Sequence, residues 1–295
     1  MDQNGLEPNR EMTFLKEPEP PRGFALDVLP GVKRVVAGNA ASMTYHGTNT
    51  YLVDDPDGGL IVIDPGPDLP GHVAAIVKAG GGQIRRILLS HTHSDHVGAT
   101  AELKAATGAP TYGWKRSATP SFEPDFALDD GDTISGLTAI FTPGHAADHL
   151  CFAWRDGILF SGDHVMGWSS SVVSPPLGDM KAYLASLELL LDRSDTLYLC
   201  GHGPALPNPQ AYVRLLIAHR RRREEAISRA IAARPQTTAE LVSRLYAKTD
   251  PMLRRAAERN VLAHLIKLDA EGRVTRQGNT WRINAQRAEK QNVEV

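Results

Sequence analysis

The stretch Ser90-His91-Thr92-His93-Ser94-Asp95-His96 puts three imidazoles and a carboxylate within six residues, directly after the strand-like run Arg86-Ile87-Leu88-Leu89. Imidazole nitrogen and carboxylate oxygen are good zinc ligands, and a catalytic zinc site leaves one coordination position open for water. The run before the cluster has the length and content of a buried strand, so the ligands stand at a strand's carboxyl end. His91 and His93 are two apart and point to one side of an extended segment, while Asp95 and His96 follow one turn later. That layout suits two neighbouring ions better than one.

Further candidates each follow a short apolar run. His145 lies in Thr142-Pro143-Gly144-His145 after Leu137 to Phe141, Asp163 in Ser161-Gly162-Asp163 after Ile158 to Phe160, and His202 in Cys200-Gly201-His202-Gly203-Pro204 after Leu197 to Leu199. In order and context these residues resemble the metallo-beta-lactamase superfamily, whose HxHxDH signature is similar to His91-Thr92-His93-Ser94-Asp95-His96. The resemblance implies one zinc on His91, His93 and His145, a second on Asp95, His96 and His202, and Asp163 bridging the two. It makes Asp95, Asp163 and His202 the groups beside the reacting atoms. It also implies that Asp64, in Ile61-Val62-Ile63-Asp64-Pro65-Gly66, orients a ligand from behind. Two Zn2+ are the expected cofactors, with Mn2+ or Fe2+ as alternatives because metal availability contributes to occupancy. Two such ions about 3.5–4 Å apart bring the pKa of a shared water to about 7, so hydrolysis needs no protein nucleophile. His93 speaks against the diiron flavoprotein branch, which has glutamate there, and His96 against the best-known zinc lactamases, which usually have arginine.

The elements that must hold these residues can be traced along the chain. Its 295 residues allow one large or two smaller domains, and 42% hydrophobic content is ample for a core. Strands are expected at 32–36, 50–53, 60–63, within Leu128 to Phe141 and within His149 to Phe160, with turns at 54–59 and 155–157. Helices are expected at 71–79, 97–107, 180–191 and 210–233. The fold class implied is α/β, a metallo-beta-lactamase αββα sandwich followed by a small winged-helix domain. The irregular segment from Met166 to Met180 starts beside Asp163 and is expected to border the substrate mouth. Trp168 within it either stacks on substrate or anchors its own loop. His164 could touch substrate or water, although alternation along an extended segment favours a supporting role, as for His149 and His46. His72, His219 and His264 fall on helices and read as structural or exposed.

Residues 1–30 carry Glu7, Pro8, Glu11, Glu17, Pro18, Glu19, Pro20 and Pro21 and read as a flexible acidic tail or a strap over the core. They contain no apolar run of signal-peptide length, so a cytoplasmic, non-membrane protein is expected. Cys151 and Cys200 lie in apolar contexts and read as buried free thiols. The catalytic part is placed at 31–213, a connecting basic helix at 214–234 and the winged helix at 235–295. Residues 214–295 hold 18 Lys and Arg against 9 Asp and Glu, a formal +9, while the remaining 14 and 25 give residues 1–213 a formal −11. That asymmetry suggests a basic partner surface, with Arg220 and Arg221 as candidate substrate contacts. The alternative is a solvated helix face with pairs such as Arg220 with Glu224 and Arg221 with Glu225.

Thr238 to Tyr246, Pro251 to Asp269 and the basic hairpin Gly272 to Ile283 look like a winged helix, with Leu262, Leu265, Ile266 and Leu268 buried. Winged helices read nucleic acid with the second helix, or serve as substrate-side or dimer-forming appendages. Together with Gly47 to Val53, Cys200 to Pro204, Asn260 to Leu265 and Glu271 to Val274, this arrangement is similar to the beta-lactamase-like endoribonuclease family. That similarity implies zinc-dependent cleavage of single-stranded RNA. Ester or thioester hydrolysis of the hydroxyacylglutathione hydrolase type is the alternative, and a non-catalytic nucleic-acid-binding protein comes third.

Overall fold

Short strands with apolar residues on both faces build a double-sheet core. The structure is a computed structural model and describes residues 12–284 apart from Ser121 and Asp156. The first sheet follows chain order: β1 (Ala25–Leu29), β2 (Val32–Val36), β3 (Asn49–Asp54), β4 (Leu60–Ile63), β5 (Ile84–Leu88), β6 (Thr111–Trp114) and β7 (Phe126–Leu128). Its first four strands are antiparallel and its last four parallel. Helices α1 (Pro70–Gly80), α2 (Ser94–Val97) and α3 (Thr100–Thr107) fall within this half. The second sheet holds β8 (Thr133–Ile134), β9 (Leu137–Phe141), β10 (Leu150–Trp154), β11 (Ile158–Gly162), β12 (Leu197–Cys200) and β13 (Leu206–Pro207), with α4 (Met180–Leu191) between β11 and β12.

Alternation along each strand assigns the layers. Ile61 and Ile63 of β4 meet Leu150, Phe152 and Trp154 of β10 in the core between the sheets. Val62 faces the other way, onto Val73 and Ile76 of α1 and Leu103 of α3. Cys151 likewise faces outward, onto Tyr183, Leu187 and Leu190 of α4 and Leu216 of the following helix. Two sheets between helical layers is the expected αββα sandwich. Both cysteines are buried and unpaired, and burial raises their thiols to about 12 at Cys151 and about 11 at Cys200.

One helix expected at 97–107 is two. The carbonyl of His96 accepts from Gly66 N–H and Ala99 N–H donates to the carbonyl of Gly66, both at 2.9 Å, so the loop after β4 takes backbone groups a continuous helix would need. The break leaves α2 as a separate turn that carries Asp95 and His96. The acidic start is also not a free tail over its described part. Leu15 N–H donates to Gly167 O at 2.9 Å, Glu17 pairs with Arg34 at 2.9 Å, and His46 Nε2 lies 3.1 Å from Glu17 O. Residues 12–22 are a strap, and 25–29 are β1; Glu7, Pro8 and Glu11 lie outside the described residues, as does Asp156 of the expected 155–157 turn.

Helix α5 (Pro209–Ala233) runs from the sandwich into the C-terminal domain: Tyr212, Val213, Leu216 and Ile217 pack on the second sheet, whereas Ile227, Ala230 and Ile231 enter the next core. That core is closed by β14 (Gln236–Thr237), α6 (Thr238–Leu245), α7 (Arg254–Ala270), β15 (Val274–Gln277) and β16 (Thr280–Ile283). Thr237 and Glu240 cap α6 reciprocally. The turn Pro251–Leu253 is 3-10, so the helix expected from Pro251 starts regularly at Arg254. Leu265 and Leu268 are fully buried, but Ile266 is 44% exposed because it falls off the stripe that α7 turns inward. That stripe closes the C-terminal core, while Ala263 of α7 joins the cluster built on α4 and α5, so the helix expected to enter a nucleic-acid groove is packed against the sandwich.

Glu224 of α5 fastens this docking. Its carboxylate lies 2.8 Å from Lys267 Nζ, 2.7 Å from Arg273 Nη1 and 3.6 Å from His264 Nδ1. The expected Arg220–Glu224 and Arg221–Glu225 pairs do not form; Arg221 pairs with Glu188 at 2.7 Å. Burial alone would raise the Glu224 carboxyl, but His264 and Lys267 outweigh it and bring it down to about 2. A carboxyl depressed on folding stabilises above its unfolded pKa, and that contribution is lost as pH falls through its folded value. Glu224→Gln is therefore expected to cost about 1–3 kcal/mol at pH 7, with the gap to wild type closing as pH falls from about 4.5 towards 2 in thermal melts.

Candidate metal centre

All seven expected ligands converge at one edge of the sandwich. The segment after β5 carries His91 and His93, α2 carries Asp95 and His96, and the ends of β9, β11 and β12 deliver His145, Asp163 and His202. Strands β9, β11 and β12 run the same way, so their carboxyl ends share that edge. His93 Nδ1 is 2.9 Å from His91 Nε2 and 3.0 Å from His145 Nε2. On the other side His202 Nε2 is 3.4 Å from His96 Nε2 and 3.2 Å from Asp95 Oδ2. Asp163 faces both groups, its Oδ1 3.5 Å from His96 and its Oδ2 3.4 Å from His202 and 3.7 Å from His145.

The donor set fits two cations. Ligand atoms bound tetrahedrally at about 2.0–2.1 Å lie roughly 3.4 Å apart, which is the scale of these separations. Among the described residues three groups meet the requirement for a shared ion: His91, His93 and His145; His91, His96 and Asp163; and Asp95, His96 and His202. Asp163 Oδ1 is buried and accepts no hydrogen bond, an arrangement that a neighbouring cation would compensate.

Outer contacts fix which ring nitrogen faces inward. His145 Nδ1 donates to Val172 O at 2.7 Å and His202 Nδ1 to Gly47 O at 3.2 Å, leaving each Nε2 free. Asp64 serves both halves: it accepts from His96 Nδ1 at 2.9 Å and from Ser90 Oγ at 2.6 Å, while Ser90 Oγ lies 3.0 Å from His91 Nδ1. Two further supports stand three and four residues after His145. Asp148, unremarked in sequence, accepts from Thr92 Oγ1 at 2.5 Å and from Ala118 N–H at 2.8 Å, tying down the turn between His91 and His93. His149 has the supporting role expected of it, its Nε2 accepting from the Asp163 N–H at 3.2 Å. The one signal for Asp148 was its place so soon after a ligand.

The protein's own charges divide the cluster. Burial, reinforced by neighbouring imidazoles, holds His91 well below its ordinary pKa and His145 at about 4, and burial also lowers His93. Burial opposes protonation of His96 and His202 as well, but there Asp163 and the surrounding carboxylates win, raising His96 well above the ordinary value and His202 to about 9. Burial would raise Asp95 and Asp163, yet the histidines hold both below the usual carboxylate range. The three-histidine half thus presents free lone pairs at neutral pH. In the other half the carboxylates favour protonated rings at His96 and His202, and a cation held there would compete with those protons.

Beside the cluster opens a cleft of ≈ 480 Å³ with His93, Asp95, His145 and Asp163 in its lining. Its other walls are Met43, Val172 and Ser174 from the sandwich and Met252, Arg255, Ala256 and Arg259 from the C-terminal domain. The four residues expected at the substrate are not among them. Trp168 stacks on Tyr45 at 5.0 Å and closes over Gly203, anchoring its own loop. His164 is buried edge-on to Tyr183, and burial lowers it to about 3. Arg220 is 2% exposed beneath Tyr183, and Arg221 is spent on Glu188 at the surface. The irregular segment after Asp163 does border the mouth, through Val172 and Ser174. Arg255 and Arg259 went unremarked in sequence; their i, i+4 spacing puts them on one face of α7, but only domain docking aims that face at the cleft.

Residues 43–202 match the family model described as the metallo-beta-lactamase superfamily, and residues 237–281 match the beta-lactamase associated winged helix domain. A Drosophila melanogaster protein named beta-lactamase-like protein 2 homolog is 30% identical over 264 residues, covering 82% of this chain and 89% of the relative. An Aspergillus chevalieri protein named atrochrysone carboxyl ACP thioesterase is 32% identical over 231 residues, covering 75% of this chain and 72% of its own. Among solved structures, a metallo-beta-lactamase family protein of Thermus thermophilus shares the fold at a TM-score of 0.73 and 23% identity, over 87% of this chain and 100% of that one. Family models for both parts, a relative matched over most of its length and a converging His/Asp cluster lead to one assignment: this chain belongs to the metallo-beta-lactamase superfamily and is a metal-dependent hydrolase with the associated winged-helix domain.

Proposed function

We propose that the enzyme hydrolyses a small anionic ester or thioester, with two zinc ions held by the His91/His93/His145 and Asp95/His96/His202 groups and bridged by Asp163. The observation that carries this reading is the cleft: ≈ 480 Å³, walled by Met43, Val172, Met252 and Ala256, with two guanidiniums on one side. That volume suits one small molecule, with apolar walls for a chain and a few polar groups for orientation. Zinc held by these residues would supply Lewis-acid activation of a water and of the attacked group at neutral pH.

The chain's own residues do the rest. Arg255, which has no partner among the described residues, and Arg259, which is tied only to Ser174 Oγ at 2.5 Å, are free to take a carboxylate or phosphate by charge-assisted hydrogen bonds. Met43 and Met252, both exposed, line the cleft and offer apolar surface to an acyl chain. Asp95, with its side chain 29% exposed, is the most open carboxylate at the reacting end. The thioesterase name of the Aspergillus chevalieri relative supports the reading. With both thiols unpaired, a reducing cytoplasm suits the protein; among the described residues no helix is long and apolar enough to cross a membrane.

Cleavage of single-stranded RNA is the second reading, favoured by the same two arginines, which also suit phosphate. It ranks lower here because no Phe, Tyr or Trp among the described residues lines the cleft for base stacking and α7 is docked on the sandwich. The test is to give zinc-loaded protein an acyl thioester bearing a carboxylate or phosphate and, separately, a labelled single-stranded RNA, beside Asp163→Asn prepared identically. Thioester turnover without RNA cleavage is expected; RNA cleavage abolished by Asp163→Asn, with no thioester turnover, would overturn the proposal in favour of the phosphodiester. Arg255→Ala and Arg259→Ala are each expected to raise KM for the anionic substrate about 10- to 100-fold, with little effect on an uncharged ester.

A further inference from the structure

The irregular segment 171–174 is gripped at three of its four residues by side chains of α5 and α7. Arg220 donates to the carbonyl of Ser171, Asn260 Oδ1 accepts from Val173 N–H at 3.0 Å, and Arg259 Nη1 donates to Ser174 Oγ at 2.5 Å. Arg220 also donates to Asn260 Oδ1 at 3.3 Å, joining two of these grips. The fourth residue, Val172, turns its carbonyl to His145 Nδ1 at 2.7 Å. Arg220 and Asn260 are 2% and 8% exposed, and burying a guanidinium is costly unless hydrogen bonds offset it, as those to Ser171 O and Asn260 Oδ1 do here. Here the grips end at a carbonyl that sets the ring of a candidate metal ligand.

We propose that Asn260 and Arg220 are positioning residues of the metal centre: by fixing residues 171–174 they aim the Val172 carbonyl, hold His145 in the tautomer with Nε2 inward, and so make the winged-helix domain set the affinity of the three-histidine half for its ion. This rests on the reading of His145 as a metal ligand and is independent of the substrate. Neither residue touches substrate. A partner that orients a metal-bound imidazole affects affinity about 10- to 100-fold when removed.

The experiment uses the full-length protein, zinc-loaded, and measures both dissociation constants by chelator competition, with thermal melts as a check on folding. Asn260→Leu is expected to weaken one ion about 10- to 100-fold and leave the other within about threefold. Asn260→Asp keeps an oxygen for Val173 N–H and Arg220 and is expected to restore near wild-type affinity. Arg220→Met keeps an aliphatic stem beneath Tyr183 and is expected to show the same one-sided loss; it decides the matter if Asn260→Leu does not fold. Wild-type affinities in a folded Asn260→Leu protein, equal weakening of both ions, or an Asn260→Asp protein as weak as Asn260→Leu would overturn the inference alone. A wild type that takes up fewer than two ions would overturn the two-ion reading and this inference with it.

Discussion

Asparagine in place of Asp163 is expected to lower kcat/KM by at least about 10³ and to leave at most one firmly held ion per chain after dialysis, with the fold intact. Asp163 faces both halves of the cluster at once, Oδ1 towards His96 and Oδ2 towards His202 and His145. Asparagine keeps the volume but offers one oxygen, and its amide donors would face either imidazole lone pairs or a cation. It also removes the negative charge that does most to raise His96 and His202 against their burial. The main-chain bond from residue 163 to His149 Nε2 does not depend on the side chain, so the loop should persist. Metal content per chain, kcat/KM and the melting temperature together decide the outcome. A folded variant with two ions and activity within tenfold of wild type would remove Asp163 from the centre of the site.

What could be read in sequence and what could not divides along locality. His91, His93, Asp95 and His96 announce themselves because they are neighbours, and His145, Asp163 and His202 because each ends an apolar run that had to be a strand. Two stacked sheets came from the family resemblance, and the structure shows the alternation behind them, Ile61 and Ile63 facing one core and Val62 the other. Arg220 was misread as a candidate substrate contact because it is the first of four consecutive arginines, 220–223, in the basic part of the chain. Yet Val213, Ile217, Arg220, Glu224, Ile227 and Ile231 step by three or four along α5, so its place on the buried stripe was available in the spacing. Trp168 was left open between two roles, and the decision lay in Tyr45, more than a hundred residues earlier. Arg255 and Arg259 had no local signal, since their use depends on how α7 packs against α4 and α5. Ligands carried by strand ends are local information; the mouth above them is tertiary.

Gly201→Ala should show how little room that local information leaves. A Cβ at residue 201 would lie 2.4 Å from Asp163 Oδ1 and 2.8 Å from His96 Cε1, both inside contact distance. The backbone cannot simply retreat, because Gly201 N–H donates to Gly162 O and Gly201 O accepts from Asn49 N–H, each at 2.8 Å. Either the Asp163 carboxylate swings away from one half of the site or two backbone bonds stretch. Overpacking of this kind costs about 1–3 kcal/mol of stability. A catalytic group moved by about 1 Å costs about 10² in rate. The expected result is therefore a folded protein, a few degrees less stable, with kcat/KM down about 10²- to 10³-fold and a weakened ion. Gly38→Ala is the control, since a Cβ there meets nothing within 4 Å and its backbone is not left-handed, so activity should be unchanged. If Gly201→Ala loses stability but keeps full activity and both ions, the sandwich yields around the site and Asp163 stays put. The close approach of β12 to the site would then be a packing detail. If activity falls while stability barely moves, the glycine between Cys200 and His202 is there because the space a Cβ would fill belongs to the carboxylate that joins the two halves.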